Sequence, residues 1–341
     1  MLKDNSKIHV LFCCNPEYFQ HLSVALVSLL DNNKCANFGV HVICSREQKE
    51  VKEKLLKSLS FYYNYNIHFY VFEIDKYQHF FTGDAHVSLE TYLRIFAAEV
   101  LPDNIEKVLY LDADLVVVDD VRPLWHICLD NHVLAAVKDP YGYFRRAELR
   151  IPREFTYVNA GVLLMNLKKW REMNLIPKLV SFIESSGESL TFWDQDAINA
   201  VLYSKITVLS YRWNLQARMF RSVADINCED QEEIYSARNN PAIIHYSSYH
   251  KPWIYSVFVV PMSSLYYKYL EQTEWNGAPK QGFTWYKVPE HYICHLLHRC
   301  GFGYTFYEKY DNSFMRGMRR VLRSVIGVTR LLHENRKKSA A

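Results

Sequence analysis

Asp112 and Asp114 stand in the run VLYLDADLVVVDD, residues 108–120, among strongly apolar neighbours. An ionised carboxylate buried in such company is costly unless it is paired or bound to a metal. Residues i and i+2 of an extended chain face the same side. The two acids therefore form a small bite for a hard divalent cation such as Mg²⁺ or Mn²⁺. His245, in the run IIHYSS, offers a third ligand, and its imidazole tilts the choice to Mn²⁺ over Ca²⁺. A cation held by so few protein groups keeps positions open for the oxygens of a diphosphate, whose charge it offsets as that leaving group departs. Lys251 and Arg94 add positive charge. Taken singly, each residue has a plainer reading: an acidic turn, a core histidine, a solvated lysine.

The elements that must position these groups follow from periodicity. IHVLFCC reads as a first strand, and EYFQHLSVALVSLLDNN as a helix with apolar residues at 19, 22, 26, 29 and 30. FGVHVIC is a second strand. SREQKEVKEKLLKSLS is a charged helix, with Ser45 as N-cap and Gln48 as its capping-box partner. YNIHFYVFEI is a third strand, SLETYLRIFAAEVLP a helix stopped near Pro102, and KVLYLDADLVVV a fourth strand carrying both acids. This alternation predicts an α/β fold with a mostly parallel sheet, in which ligands bind at the carboxyl ends of the strands. Further on come a strand ending at Asp139, a strand-like run with Asn159 and Gly161 at its start, and a helix over roughly 168–186. A helix opening at Asp194–Asp196 follows, then the strand that ends at His245. Helices dominate from about 256. The expected organisation is a catalytic domain over 1–255 and a helical region over 256–341.

Composition excludes several classes. Apolar residues are 49% and charged residues 23% of the 341, normal for a globular protein. No G-x-G-x-x-G or P-loop occurs, so a dinucleotide or P-loop site is unsupported. The net charge of +3 is uneven: residues 315–341 hold eight cations against the single acid Glu334, leaving a slightly acidic body. That balance argues against a nucleic-acid surface and for a tail that meets an anionic one. The N-terminus lacks the apolar core of a signal peptide, no run approaches the roughly 20 residues that span a bilayer, and the eight cysteines form no C-x-x-C pair. A cytoplasmic protein with reduced thiols is expected. CHLLHRC, with Cys294, His295, His298 and Cys300, matches no common zinc spacing and suits an amphipathic helix.

LYLDADLVV, NAGVLLMNLKKWR, WDQDAIN and IIHYSSYHKPW, in this order over residues 8–255, resemble glycosyltransferase family 8, above all the bacterial lipopolysaccharide galactosyl- and glucosyltransferases. The resemblance implies the GT-A fold, a UDP-galactose or UDP-glucose donor, retention at the anomeric carbon and Mn²⁺, with Mg²⁺ possible. It places Asp112, Asp114 and His245 on the metal. Asn15 and Tyr18 fall at uracil, Arg94, Ala113 and Lys251 at phosphate or sugar, and Asp139, Asn159, Asp194 and Gln195 around the hexose and the acceptor hydroxyl. Two positions depart from the family pattern. Asn15 stands where an acid is common, though an amide still hydrogen-bonds a base, and Ser248 stands where a glycine is common.

Retention through a covalent intermediate needs a carboxylate nucleophile. Gln195, at the family's central position, is an amide, and neighbours at a helix start point about 100° apart. Front-face displacement is therefore expected, with Gln195 steadying an oxocarbenium-like sugar and the leaving phosphate taking the acceptor's proton. Alone, the Asp-Gln-Asp triplet also reads as an acidic helix N-terminus favoured by the helix dipole. The tail MRGMRRVLRSVIGVTRLLHENRKK reads as a basic amphipathic helix for the inner membrane face, where a lipid-linked oligosaccharide acceptor would lie. Two other classes compete. A D-x-D phosphatase usually carries its pair on the first strand, and a sugar-binding scaffold would bind UDP and Mn²⁺ without turnover.

Overall fold

The computed structural model describes residues 7–80, 88–140, 142–220, 230–247, 249–255 and 260–282. Ser248, the CHLLHRC run and the basic tail lie outside them. β1 (Ile8–Cys13), β2 (Phe38–Cys44), β3 (Tyr65–Val71) and β4 (Lys107–Leu111) pair in parallel. Between them run α1 (Phe19–Asn32), α2 (Lys49–Ser58), and a 3₁₀ stretch, Leu89–Phe96, that continues into α3 (Ala97–Val100). Then come β5 (Leu115–Val117), α4 (Arg122–Trp125), β6 (Leu134–Lys138), α5 (Tyr143–Glu148), β7 (Val158–Asn166), α6 (Leu167–Glu172), α7 (Leu175–Ser186) and α8 (Trp193–Leu202). The chain continues through β8 (Ile206–Leu209), β9 (Leu215–Gln216), α9 (Gln231–Asn239), β10 (Ile243–His245) and α10 (Ser263–Leu270).

The main sheet has seven strands in the order β3-β2-β1-β4-β7-β6-β8, and only β7 runs against the rest. Its central strands β1, β2, β4, β6 and β7 are almost wholly buried because both their faces are covered, whereas the edge strand β3 mixes half-buried and exposed positions. Val10 and Phe12 of β1 join one core, with α1 and α10, while Leu11 and Cys13 join the other, with α7 and α8. A second sheet, β5-β10-β9, stands beside it. β5 is its edge, and α1 supplies the missing partners. Ser28 Oγ accepts from Val117 N–H at 2.9 Å, and Asn32 Nδ2 donates to the Val117 carbonyl at 3.0 Å.

Four expectations change. The fourth strand breaks at Leu111. Asp112 N–H still bonds Gly161 O of β7 at 2.9 Å, whereas Asp114 O accepts from Tyr246 N–H beside β10 at 2.9 Å. The acidic triplet is thus the crossing from one sheet to the other. The expected helix over 88–102 is wound as 3₁₀ up to Phe96, opened by Thr91 N–H donating to Ser88 O at 3.1 Å, and the side-chain Nε of Arg94 donates to the Thr91 carbonyl at 3.1 Å. Eight residues of 3₁₀ is long for that geometry and often marks a functional segment. α2 begins at Lys49, not after Ser45, whose hydroxyl donates to Glu90 instead. The helix over 168–186 is two helices, parted at Asn174 with φ of 48°. Among the described residues, no helix is long and apolar enough to cross a membrane.

Candidate active site

A cleft of about 290 Å³ opens at the carboxyl ends of the parallel strands. Its walls include Asn15 and Tyr18 after β1, Arg94, the Asp112–Ala113–Asp114 crossing, Asp139 after β6, Asn159 and Gly161 of β7, Asp194 and Gln195 of α8, and His245 of β10. The structure thus gathers every expected site residue except Lys251 on the cleft wall. Lys251 lies behind it, its ammonium paired with Asp114 Oδ2 and donating to Tyr246 O at 2.6 Å.

The acids are asymmetrically engaged. Asp112 Oδ1 accepts from Tyr110 OH and pairs with Arg94 at 3.1 Å, which leaves Oδ2 facing inward. Asp114 gives Oδ2 to Lys251 and turns Oδ1 inward. Burial alone would raise the Asp114 carboxyl, but the Lys251 ammonium and the His245 ring outweigh it and hold the group well below the usual carboxylate range. His245 Nε2 lies 3.1 Å from Asp114 Oδ1 and 3.5 Å from Asp112 Oδ2, and one ligand atom from each residue fits within 4.8 Å. His245 Nδ1 is 2.9 Å from Asn214 Oδ1. With Nδ1 carrying the proton, Nε2 turns a lone pair towards two carboxylate oxygens. Three converging acceptors are what a divalent cation requires. Gly161 leaves room for them: a Cβ there would lie 2.2 Å from His245 Cε1 and 2.8 Å from Asp112 Oδ2.

The opposite wall is built on α8. Asp194 is 3% exposed; Thr91 Oγ1 donates to it at 2.6 Å, and it pairs with Arg94 at 3.0 Å. Burial pushes its carboxyl up to about 6, against the pull of Arg94. Gln195 Oε1 accepts from Asn159 Nδ2 and Ala160 N–H, both at 3.0 Å, and its Nε2 donates to Asp139 at 3.2 Å and Tyr157 OH at 3.1 Å. Tyr157 OH donates in turn to Asp196, which Arg145 holds at 2.6 Å. Trp193, at φ of 45°, turns the chain into α8, a strained conformation that such over-determined sites sustain. Asn15 caps the 3₁₀ turn after β1, its Oδ1 accepting from Tyr18 N–H at 3.1 Å. Tyr18 stands edge-on to Trp253, which stacks on His21.

Sequence reasoning missed Tyr110, Tyr157, Asn214 and Gln216. Gln216 lines the cleft at 2% exposure, and its Nε2 has no hydrogen-bond partner among the described residues. Tyr110 stood in the apolar run VLYL, whereas the mixed segment RWNLQ gave almost no signal for Asn214 and Gln216.

A family model described as Glycosyl transferase family 8 matches residues 9–256. The chain is 27% identical to General stress protein A of Bacillus subtilis over 279 residues, covering 81% of this chain and 97% of that one. It is 26% identical to Lipopolysaccharide 1,2-glucosyltransferase of Escherichia coli over 295 residues, 85% of each. Among solved structures it is similar to the galactosyltransferase LgtC in complex with donor and acceptor sugar analogs, with a TM-score of 0.69 and 22% identity, covering 83% of this chain and all of that one.

Proposed function

The chain belongs to glycosyltransferase family 8 and has the GT-A fold, and from that premise we propose that it moves galactose or glucose from a UDP-sugar to a hydroxyl of a lipopolysaccharide, lipooligosaccharide or similar glycan, with retention. The observation that carries this reading is the meeting of Asp112 Oδ2, Asp114 Oδ1 and His245 Nε2 at a cleft whose other wall is Asp194 and Gln195. Those three would hold Mn²⁺, with Mg²⁺ suited to the same oxygens, and the ion supplies charge that offsets the departing diphosphate. Asn15 and Tyr18 take the uracil. Arg94 and Ala113 serve the phosphates and donor sugar, Lys251 adds positive charge for the phosphates from behind Asp114, and Asp139, Asn159 and Asp194 surround the hexose.

Double inversion needs a carboxylate free to reach the anomeric carbon. Gln195 is an amide engaged at both ends, and Asp194 is tied to Thr91 and Arg94. These constraints favour front-face displacement, in which the departing phosphate oxygen takes the acceptor's proton and Gln195 steadies the sugar. Residues 1–255 carry the chemistry on this reading. Region 256–341 ends in the basic segment that meets an anionic membrane on its cytoplasmic side, where a lipid-linked acceptor lies.

The test is hydrolysis of UDP-galactose and UDP-glucose by the wild type and Asp112→Asn, each with Mn²⁺ or with EDTA. Turnover is expected only for the wild type with Mn²⁺, and turnover indifferent to both changes sinks the proposal. UDP and Mn²⁺ bound without hydrolysis or transfer would mark a scaffold instead. A sugar trapped on Asp194 would overturn the front-face step.

A further inference from the structure

Asn214 is fully buried at the end of the 3₁₀ turn that precedes β9. Its Oδ1 lies 2.9 Å from His245 Nδ1, and its Nδ2 donates to Asn159 Oδ1 at 2.8 Å. The sense of these bonds is determined by backbone groups. Asn159 Oδ1 also accepts from Gly161 N–H at 3.0 Å, and a main-chain N–H can only donate, so that atom is the oxygen. Asn214 must then face Asn159 with its NH₂ and His245 with its carbonyl. Nδ1 of His245 carries a proton in consequence, so the neutral ring has its lone pair on Nε2.

The same logic continues outward. Gln195 Oε1 accepts from Ala160 N–H as well as from Asn159 Nδ2, so Gln195 Nε2 is left to meet Asp139. Every donor from His245 through Asn214, Asn159 and Gln195 to Asp139 therefore points one way. Reversing any one amide would set donor against donor at one contact and acceptor against acceptor at the next, a heavy loss for buried groups.

We propose that Asn214 is a positioning residue which fixes the tautomer of His245 and, through Asn159, holds the cation-binding wall of the cleft in register with the Gln195 wall. This rests on the proposed cation site. Its consequences can be separated by substitution. Asn214→Leu keeps the branched outline, in a somewhat larger side chain, and removes both bonds. Asn214→Asp keeps an acceptor for His245 and removes the donor to Asn159.

The test uses the full chain with three readouts. Long-range ¹⁵N–¹H correlations, recorded on the metal-free protein at a pH where the ring is neutral, report the His245 tautomer. Electron paramagnetic resonance of free Mn²⁺ reports affinity. UDP-sugar hydrolysis at saturating Mn²⁺ reports the far wall. The wild type and Asn214→Asp are expected to show the Nδ1–H form and Mn²⁺ affinities within about threefold of each other. Asn214→Leu is expected to show mixed tautomers and affinity about 10- to 100-fold weaker, the range typical when a ligand's orienting partner is lost. Asn214→Asp should slow hydrolysis about tenfold at saturating Mn²⁺. Wild-type tautomer and affinity in Asn214→Leu overturn the proposal. If that variant does not fold, Asn214→Asp decides: retained Mn²⁺ with slowed hydrolysis upholds the proposal, and lost Mn²⁺ with native circular dichroism overturns it. A wild type that binds no Mn²⁺ refutes the cation site instead, and the tautomer spectrum still decides the role of Asn214.

Discussion

Gly161→Ala is a one-carbon change aimed at the centre of the site. Gly161 lies in β7 and is not among the positive-φ positions, so its backbone accepts alanine without strain. The added Cβ would stand 2.2 Å from His245 Cε1, 2.7 Å from Nδ1 and 2.8 Å from Asp112 Oδ2, whereas ordinary contact begins at 3.4 Å. The ring must therefore retreat by the difference, 3.4 less 2.2, or 1.2 Å. Nothing lets it do so cheaply: Asn214 holds Nδ1 at 2.9 Å, and β10 is hydrogen-bonded on both sides, to β5 and β9. Overpacking of this kind costs about 1–3 kcal/mol, which calorimetry reads as a fall in Tm. The larger effect is on chemistry, since a displacement near 1 Å at a reacting site lowers rate by about 100-fold. Mn²⁺ affinity, by titration, should weaken in parallel. Wild-type affinity and turnover in Gly161→Ala would show that His245 and Asp112 do not act together beside β7, and the metal assignment would fail with them.

Arg171 donates to the carbonyls of Ala98, Leu101, Pro102, Asp103 and Ile105, closing the turn before β4; Arg171→Ala should cost about 3 kcal/mol in urea unfolding, at roughly 1 kcal/mol per lost bond with allowance for the exposed ones, while turnover per folded molecule stays unchanged. The Asp194 carboxyl is raised by burial to about 6 from an ordinary 3.8. Between those values the folded chain keeps a proton that the unfolded chain has lost, so this contribution is full below pH 3.8 and is lost as pH rises to 6. The loss is about 3 kcal/mol by linkage; Asp194→Asn should flatten the slope of stability between pH 4 and 6, and an unchanged slope refutes the assignment. Deleting residues 315–341 should release the protein from anionic vesicles, at about 1 kcal/mol per cation near the surface, and spare UDP-sugar hydrolysis; persistent binding refutes the role of the tail.

The parts of this site legible in sequence are those with no other explanation in their own neighbourhood. β1, β2 and β4 are apolar on both faces, so their runs read as strands without knowledge of what covers them. Asp112 and Asp114 stood out because carboxylates in such a run must find partners. Their surroundings were less legible. LVVV after Asp114 continues the apolar run, and only the bonds to Gly161 and Tyr246, distant in sequence, show that the strand changes sheets between the acids. The break at Asn174 did leave a local mark, since Pro177 is tolerated in the first turn of a helix and not in its middle. Asn214 left almost none: one amide in a short mixed segment, whose meaning lies in His245 and Asn159, 31 and 55 positions away. The sheet crossing shows what such a partner adds. Asp112 takes its backbone bond from one sheet and Asp114 from the other, while His245 belongs to the second sheet alone. The main chain of the acidic triplet is one link across that boundary, and the buried Asn214–Asn159 bond is a second, joining the turn that leads into β9 to β7 on the side of His245.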